Sequence, residues 1–454
     1  MLKDTTQKTI AQVSEYESEV LSQRCWLFLR PILKQLKERI DRRLVKTFLD
    51  LVLIILIHRN RQQGLLLSEL GAHLLGADRG PAGTKRIAKL VHSPRWQAKW
   101  IEEYLWERAD QRVNSLSQTP EEAYVIWDES VLEKPESLQA EGLCAVRSSK
   151  AARLKRIKPG FFNPPGGRPI FVPGYNWLQV VVSGLHGVPT LAHVRWWSTR
   201  GERSSDKRTQ EQIILKRVGQ MWGKRVVHIW DRGFAGAPWT QLALDEQIRF
   251  IVRWQKNYKL VGPDGVAKKP WEITRGKRSW DHRLIHDARR RCDRKTGVIA
   301  VPVHLPDDLR PLWLVVSRPG PGRQPWYLIT TEVIQTPDDA WRIVFAYARR
   351  WQIEMSIRFT KTELAFECPR LQKWESRLKF LWIATLAYSF LLSILSTISQ
   401  PAGEWLLRHW CHRNGKRSRV IPTPLYRLRL ALSTLWLYFR PHPLPPLNLR
   451  LDSG

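Results

Sequence analysis

Residues 347–361 read YARRWQIEMSIRFTK, and this stretch decides how the chain is read. It sets Arg350, Glu354 and Lys361 at offsets of three, seven and fourteen from Tyr347. An α-helix turns about 100° per residue, so the four side chains fall within an arc of roughly 60°, one stripe of one helix. The stripe carries a carboxylate, two cations and a phenol. A core-facing stripe would be apolar, so this one faces solvent or something charged. A carboxylate between cations suits a metal ion and the phosphates it acts on.

Two aspartates upstream sharpen the reading. Asp128 ends the run AYVIWD and Asp231 ends RVVHIWD. Each follows alternating or apolar β-formers and precedes a loop-like segment, so each is expected to close a strand. A sheet holds such a carboxylate rigidly, which a metal ligand requires. With Glu354 they make a set of three hard oxygen donors, suited to Mg²⁺ or Mn²⁺ and not to zinc.

At this point the chain resembles the bacterial insertion-sequence DDE transposases whose signature is Y-x2-R-x3-E-x6-K. Tyr347, Arg350, Glu354 and Lys361 match it at every spacing. The resemblance spans roughly residues 84–398. It implies that Asp128, Asp231 and Glu354 are the catalytic, metal-binding acids, in that order, holding two Mg²⁺ ions for which Mn²⁺ can substitute. Arg232 follows the second aspartate and Ser130 lies two residues after the first, as they recur in the family. Trp326 in PWYLITTE stands at the start of the last strand before the signature helix, where the family keeps a base-stacking tryptophan. The chain has 23 tryptophans, so the position carries that match and the residue type does not.

The same resemblance implies an activity. Terminal inverted repeats would be cleaved and the freed 3′-hydroxyl transferred, a cut-and-paste transposition through a hairpin intermediate. Tyr347, Arg350, Lys361 and Arg232 would contact DNA and Trp326 would hold an extruded base. The partners implied are double-stranded DNA, at transposon ends and target, and a second copy of the chain in the synaptic complex. Three alternatives stay open: a transposase-derived DNA-binding protein without catalysis, an RNase H-type nuclease without strand transfer, and a membrane-associated basic protein using residues 380–398.

Composition is consistent with a nucleic-acid enzyme. Lys plus Arg number 74 against 42 Asp plus Glu, a net charge of +32, with a pI near 10.4. Such a charge repels itself in a compact fold unless a polyanion is present. The basic residues run through the segments expected to fold, which points to extended contact with DNA. Five scattered cysteines without a C-x-x-C pair predict neither a zinc site nor a disulfide framework. They fit a reducing compartment, and the polar start shows no signal-peptide pattern, so a cytoplasmic, nucleoid-associated location is expected. The run 380–398, FLWIATLAYSFLLSILSTI, is borderline for a membrane span and is read as a buried helix behind the signature helix, with no membrane partner.

The expected fold class is an α/β RNase H-like catalytic core with a β-rich insertion and a helical N-terminal domain. Residues 1–115 form the helical DNA-binding domain, in which 84–96 reads as a basic helix capped by Thr84. Residues 120–255 form the first part of the core, in the order β-β-β-α-β-α-β. A long loop, about 132–175, carries Lys150, Arg153, Lys155, Arg156 and Lys158. Residues 256–331 form the insertion, which includes Arg289, Arg290 and Arg291. Residues 332–400 complete the core with the signature helix, and 401–454 form a basic region expected to support dimerisation.

Overall fold

The computed structural model describes residues 2–58, 64–134, 136–151, 169–287, 292–396, 400–411 and 425–439. The N-terminal part is helical: α1 Leu2–Arg39, α2 Arg42–His58, α3 Leu67–Leu75, α4 Gly80–His92 and α5 Lys99–Ser117. The start of α4 differs from expectation. It begins four residues before Thr84, with Pro81 in its first turn, where a fixed φ suits a helix and the missing N–H goes unneeded. Thr84 lies inside the helix, its hydroxyl donating to the Gly80 carbonyl at 2.9 Å. Helices α3 and α4 touch through glycines: a Cβ on Gly83 would lie 2.1 Å from the Gly71 carbonyl oxygen.

The strands β1 Ala123–Glu133, β2 Cys144–Arg147, β3 Phe171–Ser183 and β4 Thr190–Trp197 follow, then α6 Lys207–Trp222, β5 Val226–Trp230, α7 Ala237–Asp245 and β6 Phe250–Arg253. Apart from the short β2, this is the order read from the sequence. Parts of the expected 132–175 loop take part in the sheet, because β2 and both ends of the segment pair with neighbours. Arg153, Lys155, Arg156 and Lys158 lie outside the described residues, as do Arg289, Arg290 and Arg291.

The next strands are β7 Leu260–Val261, β8 Ala267–Lys268, β9 Asp281–Asp287, β10 Cys292–Leu305, β11 Asp308–Arg318 and β12 Trp326–Thr330, with the short helix α8 Pro270–Ile273 after β8. They continue the same sheet. Strand β12 pairs antiparallel with β6, matching Ile329 to Val252, and β11 and β10 follow outward. The described residues thus form a mixed α/β fold around one twelve-stranded sheet, in the order β2-β3-β1-β5-β6-β12-β11-β10-β7-β8 with β4 also on β3 and β9 on β10. Strands β1, β5 and β6 run parallel at its centre.

The C-terminal helices are α9 Pro337–Ala348, α10 Trp351–Thr362, α11 Trp374–Ile394, α12 Gln400–His409 and α13 Leu425–Tyr438. Among the described residues α11 alone is long and apolar enough to cross a membrane, and 89% of its most apolar stretch is buried inside the fold. It reaches the signature helix through Tyr388, whose ring stacks on Phe359 at 5.3 Å. Helix α13 packs back on the N-terminal helices: Ser433 donates to the Ile57 carbonyl, and Ser18 donates to the Phe439 carbonyl at 2.6 Å. Its apolar side is therefore buried within the chain.

Candidate active site

Strand alternation aims the two aspartates. Side chains along a strand point to opposite faces in turn. On β1, Tyr124 and Ile126 enter the core on one face of the sheet and Val125 and Trp127 enter the core on the other. On β5, Val227 and Ile229 share the first face and Val226 and Trp230 the second. Asp128 and Asp231 continue the first series. Ile126 pairs with Ile229 across the parallel strands, so the two aspartates stand two residues beyond the same rung. That face also holds Tyr347, Ile353 and Ile357, which brings α9 and α10 over it.

Asp128 does not end its strand, as the sequence suggested. Pairing with β5 stops at Ile126, but antiparallel pairing with β3 carries β1 on to Glu133. The aspartate stands where one neighbour has fallen away and the other still holds the backbone. Asp231 stands one residue past β5, which ends at Trp230, and its Oδ1 accepts from Gly233 N at 2.6 Å.

The signature stretch is likewise divided. Helix α9 stops at Ala348 and α10 starts at Trp351. Between them Arg349, Arg350, Gln352 and Ile353 donate to carbonyls three residues back, at 2.9–3.2 Å. This tight 3₁₀-type turn separates Tyr347 from Glu354 and Lys361, so the four residues do not share one helical stripe. Arg349 fastens the turn to the sheet, donating to Ser183 Oγ at 2.7 Å and to the Gly187 carbonyl.

Arg350 joins the acids. Its guanidinium donates to Glu354 Oε1 and lies 3.8 Å from Asp128 Oδ2. Burial pushes the Asp128 carboxyl up to about 7, Asp231 adds to the shift, and Arg350 and the Glu129 N–H oppose it; Glu354 raises it further. Asp231 and Glu354 thus both lie within electrostatic reach of Asp128. Burial draws the Arg350 pKa down, but Tyr347, Glu354 and Asp128 outweigh it, and the net shift is upward. Tyr347 is buried, its phenol raised by burial, with Arg350 and Arg253 opposing.

The remaining expected residues are more spread. Trp326 opens β12 half-buried and meets the Tyr347 ring edge-on at 5.1 Å. Arg232 is exposed, with its carbonyl accepting from Gln255 Nε2 at 3.3 Å. Lys361 is two turns past Glu354, 3.2 Å from Ser149 Oγ and 3.6 Å from Glu367, away from the three acids. Trp351 went unnoticed in the sequence. It is 60% exposed on the open side of α10, which it shares with Glu354, Met355, Arg358 and Lys361. Its position beside the charged stripe was legible; its exposure was not, because most tryptophans in this chain are core.

A divalent cation fits the donor chemistry here: all-oxygen ligands, and a half-buried Asp128 that is eased into its ionised form by positive charge beside it. The cation now serving Asp128 and Glu354 is Arg350. Among the described residues no three His, Cys, Asp or Glu side chains converge closely enough to form a coordination sphere.

A family model described as the transposase DDE domain matches residues 148–390, more than half of the chain. The matched range takes in Asp231, Trp326, Tyr347, Arg350, Glu354 and Lys361 and begins after Asp128. No curated protein matches. Among solved structures, the cryo-EM structure of the piggyBac transposase synaptic complex with hairpin DNA is similar at 14% identity, with a TM-score of 0.42, covering 90% of this chain and 74% of that one.

Proposed function

The chain belongs to the transposase DDE domain family, and on that premise we propose that it is a metal-dependent DNA transposase of the insertion-sequence type, with an RNase H-like core. The observation that carries the proposal is the pairing of Asp128 and Asp231 past one rung of parallel strands, with Glu354 joined to Asp128 through Arg350.

Asp128, Asp231 and Glu354 would hold the divalent ions, Mg²⁺ by preference, which supply Lewis-acid activation of the attacking oxygen and stabilisation of the leaving one. Hydrolysis breaks one P–O bond at the element end and frees a 3′-hydroxyl. That hydroxyl attacks the opposite strand, forming a P–O bond as another breaks, and closes a hairpin that is reopened before joining to target DNA. Arg350 keeps Glu354 turned toward Asp128 and offsets the negative charge gathered there. Tyr347 backs Arg350 from the buried side. Lys361 and Arg232 hold DNA phosphates through charge-assisted hydrogen bonds. Trp326 and the exposed Trp351 offer aromatic surface to an unstacked base. Two copies would be needed to pair two element ends.

Incubating labelled DNA carrying the element ends with protein and Mg²⁺, and resolving products on a denaturing gel, tests the reading. Nicks, a hairpin-sized species and joined products support it. Nicks alone would reassign the chain as a hydrolytic nuclease, and bound but uncut DNA, even with Mn²⁺, as a DNA-binding protein without catalysis.

A further inference from the structure

The chain carries a second charged cluster, two helical turns from the acids, where α10 ends. Ala365 adopts a φ of +45°, and the Phe366 N–H donates back to the Thr360 carbonyl at 3.2 Å. The chain reverses there and returns Glu367 alongside the helix. Its Oε2 lies 2.8 Å from Lys150 Nζ. Its Oε1 lies 3.6 Å from Lys361 Nζ and accepts the Glu133 N–H at 3.2 Å.

The two carboxylates of this cluster are held differently. Glu133, buried at the end of β1, accepts from Ser148 Oγ, Ser149 N, Ser149 Oγ and Lys150 N at 2.8–3.1 Å. Those bonds fix the turn that presents Lys150, and no substrate oxygen could replace the Glu133 side chain without dissolving the turn. The Glu367 carboxylate is held by two ammoniums and one backbone N–H, the donor set that a phosphate takes in protein–DNA contacts. Its main chain is anchored independently, since Lys134 Nζ donates to the Glu367 and Pro369 carbonyls. The side chain can therefore leave while the backbone stays. Lys150 is 57% exposed, so the cluster opens to solvent on that side.

We infer that Lys150, Lys361 and the Glu133 N–H form a phosphodiester site in which the Glu367 carboxylate stands in for the DNA, and that DNA binding exchanges one for the other. The inference rests on the transposase reading and deepens it. Lys361 lies about 10 Å beyond Glu354 along the helix, so the phosphate concerned flanks the scissile one. Until DNA arrives, the carboxylate neutralises one half-buried cation, Lys361, and one exposed cation, Lys150. Once displaced, it returns to water and both ammoniums face the backbone.

The test uses the full chain, a fluorescent DNA duplex and no divalent metal, with binding measured by anisotropy at several salt concentrations. Glu367→Gln keeps the acceptor for the Glu133 N–H and removes the charge. It should bind the duplex several-fold more tightly than wild type, with a salt slope steeper by about one unit. Lys150→Gln should weaken binding, and in that background the gain from Glu367→Gln should shrink. Thermal unfolding of each variant reports folding separately. Unchanged or weaker binding by Glu367→Gln, whether or not its melting point falls, makes Glu367 a structural brace and overturns the inference alone. Wild-type protein that binds no duplex at all overturns the transposase reading, and the inference with it.

Discussion

The ring of Trp326 meets that of Tyr347 edge-on, 5.1 Å between centroids, so the tryptophan at the strand start is tied to the first residue of the signature. One edge of this aromatic is already committed to the fold. Trp351 on the open side of α10 has no such partner ring among the described residues and is 60% exposed. If both serve an unstacked base, Trp351→Ala and Trp326→Ala should each slow hairpin closure more than the first nick. Stacking worth about 1–3 kcal/mol per base sets the scale, roughly fivefold to a hundredfold in rate. Time courses resolving nick from hairpin decide it; equal slowing of both steps would make either residue structural.

Arg350 spans Asp128 and Glu354 from the 3₁₀ turn. A lysine has one point charge in place of the planar fork and cannot serve both acids in this geometry. Arg350→Lys is expected to cut cleavage strongly while leaving DNA affinity within a few-fold of wild type. Parallel gel and anisotropy measurements check this; a matching loss of both would make Arg350 mainly a DNA contact.

The metal-free protein should show a pH dependence of stability traceable to Asp128. Its carboxyl is pushed from 3.8 up to about 7, first by burial and then by Asp231. A raised acid pKa stabilises the fold in the protonated state, and that contribution disappears as pH rises through the folded value. Wild type should therefore lose stability relative to Asp128→Asn between about pH 4 and pH 7. His228 acts in the opposite sense. Burial between Trp127 and Trp230 lowers it to about 3, so its contribution is present above 6.5 and is lost as pH falls toward 3. Melting curves of wild type and Asp128→Asn across this range test the first claim, and a constant difference would contradict it.

Gly83 sets the spacing of α3 and α4. A methyl there would sit 2.1 Å from a backbone oxygen, which no rotamer change relieves. Gly83→Ala should cost about 1–3 kcal/mol or more, as overpacking does. Chemical denaturation measures it; a loss under about 0.5 kcal/mol would mean that the helices part easily.

The order of core strands and helices was legible because β1, β5 and β6 are short apolar runs bounded by polar turns. The setting of the two aspartates was legible in part: Asp231 follows directly on the end of β5, as the apolar run before it suggests, whereas β1 runs on past Asp128. Less could be read where pairing decides the outcome. Nothing local says that β3 holds β1 for five residues past Asp128, or that β12 pairs with β6 and draws the expected insertion into the central sheet. The helix break at Arg349 was hidden because helical formers run through it; the tie from Arg349 to Ser183 and Gly187 supplies the tightening. Lys361 matched the signature by spacing, but its engagement by Glu367 depends on the reversal at Ala365, which a non-glycine residue at positive φ does not advertise.

The most direct test of the central claim is cleavage of element-end DNA by wild type, Asp128→Asn, Asp231→Asn and Glu354→Gln, with and without Mg²⁺, with binding measured in the same samples. Metal-dependent nicking by wild type, abolished in all three variants while each still binds DNA, is the predicted result. Wild-type nicking retained by any one of the three, or nicking by wild type without divalent metal, would contradict a shared three-carboxylate metal site.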